Sequence, residues 1–90
     1  MKHVIKIDKP YADAIAEGRK TFEVRINDRG YNAGDLVVFI VKDDGFTVLG
    51  HPIADKKYVI TYVHSGLGMA DRYVAFSIRA AGKEEEVGTE

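Results

Sequence analysis

The chain has no cysteine, so neither a disulfide framework nor a cysteine-ligated zinc site can hold it together. Long hydrophobic runs are missing as well. Met1-Lys2-His3 opens onto no apolar leader, and no segment approaches the roughly 20 apolar residues of a membrane-spanning helix. With the missing thiols, which fit a reducing compartment, this gives a cytoplasmic protein without membrane contact as the expectation. The histidines at 3, 51 and 64 have no mutual metal-ligand spacing, and neither His-Glu-x-x-His nor a Cys/His finger occurs. They read as surface or partly buried residues, and no metal or cofactor is expected. Gly66-Leu67-Gly68 lacks the further glycine and the strand-to-helix context of a dinucleotide loop. Ser65, beside His64, lies in no nucleophile-elbow pattern.

What is present is one small domain's worth of core. Ninety residues at 46% hydrophobic and 30% charged make an ordinary soluble composition. The net charge of −1 hides a split. Taking Lys83, Glu84, Glu85, Glu86 and Glu90 out of the 13 basic and 14 acidic residues leaves residues 1–81 with 12 against 10. The body is mildly cationic, and residues 82–90 form an acidic tail. Such a segment buries too little apolar surface to offset ordering entropy, so a disordered tail is expected. The sharper alternative is a tail that folds over a basic site or engages a protein partner.

Val4 to Ile7 reads as a short strand, after which Asp8 can cap a helix from Lys9 to Glu17, with Pro10 in its first turn. Tyr11, Ala14 and Ile15 form its apolar stripe, and Gly18 suits the left-handed position that ends it. Lys20 to Ile26 is the second strand, followed by turns at Asn27-Asp28-Arg29-Gly30 and Asn32-Ala33-Gly34-Asp35. Leu36 to Val41, apolar on both faces, is a central strand; Lys42-Asp43-Asp44-Gly45 makes a hairpin turn into Phe46 to Leu49. Lys57 to His64 places Tyr58, Ile60, Tyr62 and His64 on one face, and Arg72 to Arg79 turns Val74, Phe76 and Ile78 one way. Five or six strands with one early helix predict an α+β, mainly-β sheet curled into a small barrel.

The stretch from Gly18 to Gly30 packs four cations, two carboxylates and an amide around Phe22, Val24 and Ile26. A strand burying those three apolar residues would present Thr21, Glu23 and Arg25 as the wall of a polar site. Two readings stand side by side: a surface ladder of ion pairs, or a ligand site. In the second, Lys20 and Arg25 offer donors to phosphate or a base edge, and Tyr62 or Tyr58 a stacking surface. Lys20 and Glu23 are three apart and face opposite ways in a regular strand. They meet only if Lys20 lies in the turn after Gly18, or if a bulge intervenes.

Gly18-Arg19-Lys20-Thr21-Phe22-Glu23-Val24-Arg25 resembles the G-x-K-x-x-E-x-R motif of ASCH domains, in the PUA-like superfamily. With His3, Lys6, the Asn27-to-Gly30 turn, Gly34-Asp35, Thr61-Tyr62 and the Gly66-to-Tyr73 loop, residues 3–79 are similar to the small bacterial and phage group DUF3850. The resemblance implies a PUA-like pseudo-barrel over residues 1–81, with the early helix beside a cleft that binds RNA or a nucleotide. The implied ligand residues are Lys20, Thr21, Glu23, Arg25, Asn27, Arg29, Tyr62 and His64. A related small ASCH enzyme hydrolyses N4-acetylcytidine and similar amides with a lysine, a threonine and a glutamate. Lys20 matches its lysine, which makes Lys20 and Glu23 the catalytic candidates of an amidohydrolase alternative. Where that enzyme has its threonine, this chain has Glu23; Thr21 sits one residue after Lys20. A protein-interaction module using the cleft or the acidic tail is the third alternative.

Overall fold

In the computed structural model, which describes residues 1–84, strand β1 (Lys2–Asp8) runs directly into helix α1 (Lys9–Ala16). Then come β2 (Phe22–Ile26), β3 (Leu36–Asp43), β4 (Phe46–Thr47), β5 (Lys57–His64) and β6 (Tyr73–Ala80). They form one sheet in the order β1-β3-β5-β6-β2, with β4 paired to β3. β1 is parallel to β3, and the remaining pairs are antiparallel. The sheet curls into a half-barrel, the mainly-β α+β class the sequence predicts. Among the described residues no helix is long and apolar enough to cross a membrane. From Glu85 onward the acidic tail lies outside the described residues.

The core follows from strand alternation. Ile5 and Ile7 of β1, Val37, Phe39 and Val41 of β3, and Val74, Phe76 and Ile78 of β6 are buried. Tyr58 and Ile60 of β5 join them, and Ala12 and Ile15 of α1 with the loop residues Tyr31 and Ile53 complete the cluster. β3 is central as expected, flanked by β1 on one side and by β5 and β4 on the other. Its hairpin into β4 turns through Asp44 and Gly45, both at positive φ (50° and 84°), the pattern that lets a two-residue turn follow the strands' twist. β4 stops at Thr47, two residues earlier than the composition predicts.

α1 departs from its predicted details. Asp8 holds the extended N-cap conformation but makes no side-chain capping bond. Tyr11 is 55% exposed, because Ala12, not Tyr11, meets the core alongside Ala14 and Ile15. At the other end Gly18 adopts φ 79°, and the amides of Arg19 and Lys20 both donate to Ala14 O, at 2.9 and 3.1 Å.

Two strand faces are inverted relative to simple alternation. On β2, Glu23 is buried, whereas Phe22, Val24 and Ile26 are each roughly half exposed. β2 pairs only with β6, and its inward residues, Glu23 opposite Phe76 and Arg25 opposite Val74, close the end of a core already filled from β6. On β5 the register jumps from Ile60 opposite Ile78 to Tyr62 opposite Ser77. Thr61 is thus an extra residue, a bulge that turns Tyr62 away from the face of Tyr58 and Ile60. Tyr62 is 65% exposed while those two are buried.

The histidines, expected at the surface or partly buried, are corrected at two positions: His3 and His51 are fully buried, each against a carboxylate. His3 Nε2 donates to Asp35 Oδ2 at 2.8 Å, where the Asn32 amide also donates at 3.1 Å. His51 Nδ1 accepts from the Ile53 amide at 3.2 Å, which leaves Nε2 to donate to Asp13 Oδ1 at 2.8 Å. Burial works against ionisation of Asp35, but the bonds from His3 and Asn32 outweigh it and hold its pKa below the ordinary value. Bonds from His51 and then Lys9 likewise lower Asp13.

Both carboxyls therefore bind a proton more readily in the unfolded chain than in the folded one. The stability they contribute is present above their ordinary pKa of 3.8 and is lost as pH falls through the lower folded values. Urea midpoints measured down the acid range should drop below about pH 4, and Asp35→Asn should flatten that drop. A variant with the parent's acid profile would exclude Asp35 as a source of the pH dependence.

Candidate functional site

β1 and β2, the two ends of the strand order, make no backbone pairing with each other among the described residues. Arginine side chains bridge the gap instead. Arg25 Nη2 donates to the Lys6 carbonyl, and Arg29 Nη1 donates to Val4 O at 2.9 Å. Where the strands diverge beside α1, the seam widens into a cleft of about 690 Å³. Lys6, Asp8 and Tyr11 line one side; β2, the turn after it and Tyr73 line the other.

The floor of the cleft is an ion triad built by chain geometry. Gly18 ends α1 and β2 begins only at Phe22, so Lys20 sits in the intervening turn and not on the strand. That placement meets the condition set by the three-residue spacing. Lys20 Nζ contacts Glu23 Oε2 and also donates to the Phe22 carbonyl. Arg25, two residues on and so on the same side of the strand, donates through Nε and Nη2 to Glu23 Oε1 at 3.0 and 2.9 Å. Both oxygens of a carboxylate whose side chain is 6% exposed are thereby occupied. Beside the triad stand aromatic rings. Lys20 Nζ stands 5.0 Å from the Phe22 ring centroid and 5.7 Å from that of Tyr11, within cation–π range.

Tyr31 closes the inner end. Its ring lies between His3 and Phe76, with centroids at 4.7 and 4.8 Å, and burial raises the pKa of its hydroxyl. Counting all charged lining residues, Lys6, Lys20, Arg25 and Arg29 face Asp8, Glu23 and Asp28, a small cationic surplus.

Of the eight ligand residues expected, Lys20, Glu23, Arg25 and Arg29 converge on this cleft. Thr21 is exposed and outside the lining; its carbonyl accepts from the Ile78 amide at 3.0 Å, holding β2 to β6. Asn27 shapes the turn, accepting from the Tyr31 amide at 3.1 Å. Tyr62 and His64 point from the outer face of β5, and His64 Nε2 donates to Leu67 O at 2.7 Å. They do not join the cleft. The sequence reading missed its aromatic walls, Tyr11, Phe22 and Tyr73, because each was assigned inward or left out of the site.

A family profile described as domain of unknown function (DUF3850) matches residues 2–78. Among solved structures, the chain is similar to one titled crystal structure of hypothetical protein PH0355, with 16% identity and a TM-score of 0.59. The match covers 90% of this chain and 100% of that one, a likeness of fold. Among curated proteins no sequence matches this one.

Removing one partner from a buried ion cluster leaves an uncompensated charge, at roughly 3–5 kcal/mol. Glu23→Gln, which keeps the shape and strips the charge, should lower unfolding free energy by about 3 kcal/mol in urea melts. Arg29→Ala, at a partly exposed position, should lower it by about 1 kcal/mol or less. Equal losses in the two variants would mean that the triad is not the stronger clasp.

Proposed function

The chain belongs to the DUF3850 family, and from the geometry of its cleft we propose that it is a PUA-like, ASCH-type module that binds a nucleotide or a single-stranded RNA nucleotide. One observation carries this. Three half-exposed aromatic residues, Tyr11, Phe22 and Tyr73, share an open cleft with Lys6, Lys20, Arg25 and Arg29. A flat ring bearing an anion is the ligand that uses both halves of such a surface. The base stacks on the aromatic wall, and Arg29 and Lys6 meet the phosphate. Arg25, fixed by Glu23, presents its remaining guanidinium edge to the base.

Glu23 acts here as a positioning residue. Its two oxygens already accept from Lys20 and Arg25, so taking a proton from a water would require breaking that triad. This disfavours the amidohydrolase alternative, in which Lys20 and Glu23 would be catalytic. The near-neutral charge of the chain gives little long-range attraction, so affinity rests on local contacts.

Isothermal titration with the four ribonucleoside 5′-monophosphates and short single-stranded RNA, at two salt concentrations, tests this. Binding should weaken with salt, and Arg29→Ala should reduce the salt slope by about one. Tyr11→Ala should weaken binding about five- to a hundredfold, the worth of one base–aromatic stack. Absence of salt-sensitive binding across the panel would refute the proposal.

A further inference from the structure

The outward face of β2, whose Phe22, Val24 and Ile26 line the cleft, continues beyond it over β6 to the bulged part of β5. The registers put Tyr62, Ser77 and Phe22 in one row across β5, β6 and β2. His64, Ala75 and Val24 form the next row, and Tyr73 lies beside Ile26 in the third. Phe22, Val24, Ile26, Tyr62 and Tyr73 are between 39% and 65% exposed. Ala75 and Ser77 are small, so β6 is the floor of a shallow trough walled by the larger side chains of β5 and β2. None of the residues in these rows is a carboxylate. Arg79 continues the outward side of β6, Arg72 precedes Tyr73, and Lys20 stands against Phe22. An uncharged aromatic trough with a cationic border fits an anionic chain of flat rings. Two copies of this face would instead set like charges against each other.

Phe22, Val24, Ile26 and Tyr73 belong to both surfaces: they line the cleft and stand in these rows. We propose that the cleft and this outer face are one continuous track for single-stranded RNA, with one nucleotide in the cleft and its neighbours stacked over β2 and β6 toward Tyr62. The inference rests on the nucleotide-binding function proposed for the cleft. Strands lie about 4.8 Å apart, so Phe22 and Tyr62 stand about 10 Å apart, room for a base to lie over Ser77 between them. Stacking of this kind tolerates any base, since every base has a π face. The exposed hydroxyls of Thr61 and Ser77, paired at 2.6 Å, are placed to meet a ribose 2′-hydroxyl.

The test compares a ribonucleoside 5′-monophosphate with oligoribonucleotides of the same base, two to five nucleotides long, on the parent and on Tyr62→Ala. Circular dichroism and sedimentation run alongside. Tyr62 is largely exposed, so the variant should fold as the parent does. Affinity should rise about five- to a hundredfold once a second base is added, and Tyr62→Ala should bring the oligomer-to-monomer affinity ratio close to one. Mononucleotide binding with no gain from length, or a gain that survives Tyr62→Ala, overturns the continuous track and leaves the cleft as a single-nucleotide site. No binding at any length overturns both. A parent dimer that Tyr62→Ala dissociates makes the face a contact between copies and overturns the track.

Discussion

A curled sheet that stops short of closing leaves two strand edges with unpaired backbone groups, and satisfying them is the constraint on which this molecule depends. β1 and β2 stand at the two ends of the strand order, with no ladder between them among the described residues. Arg25 and Arg29 span the gap by donating to carbonyls of β1. A guanidinium suits this because its planar fork serves two partners at once. Arg25 uses one edge on Glu23 and reaches Lys6 with the same group. Glu23 therefore does more than balance charge: it fixes the angle at which the bridge crosses. Lys20, tied to the same carboxylate, couples the turn after α1 to that bridge.

The arrangement also explains why an exposed apolar strand is tolerated. Open edges invite pairing with other chains, and charge at the edge is the usual protection. Here the charged side chains lie across the edge itself, so β2 can carry Phe22, Val24 and Ile26 outward without offering a bare ladder beside them. The same side chains make the seam polar, with aromatic rings beside them. A strand that closed the barrel with backbone bonds would have removed the cleft.

Much of this was legible in the residues. A continuous apolar run located β3, alternation located β6 and the shared face of Val74, Phe76 and Ile78, and Gly18 marked the end of α1. The density of charge between Gly18 and Gly30 marked the strand that borders the cleft, and the spacing of Lys20 and Glu23 required either a turn at Lys20 or a bulge for the two to meet. What alternation could not give was the sign of a face. On β2, apolar residues look inward by rule, and only the pairing partner, with Phe76 already filling the core, reverses them. On β5 a single extra residue moves every later side chain to the other face, and Thr61 carries no local signal of doing so. The buried histidines escaped notice because Asp35 is 32 residues from His3, and Asp13 is 38 from His51. No local pattern links such partners.

These reversals bear directly on function. Had Glu23 and Arg25 lined an open polar wall, Glu23 would have stood in water with free oxygens, a plausible base. Buried beneath two cations, it holds donors in place and offers no free oxygen of its own. The outward turn of Phe22 supplies what a polar wall would have lacked, a ring at the lip of the cleft within 5.0 Å of a lysine. A site whose charges are tied to one another and whose exposed surface is aromatic gains affinity from stacking and shape more than from net charge. That combination supports the nucleotide-binding reading proposed for the cleft over the amidohydrolase alternative, which would need Glu23 released from Lys20 and Arg25.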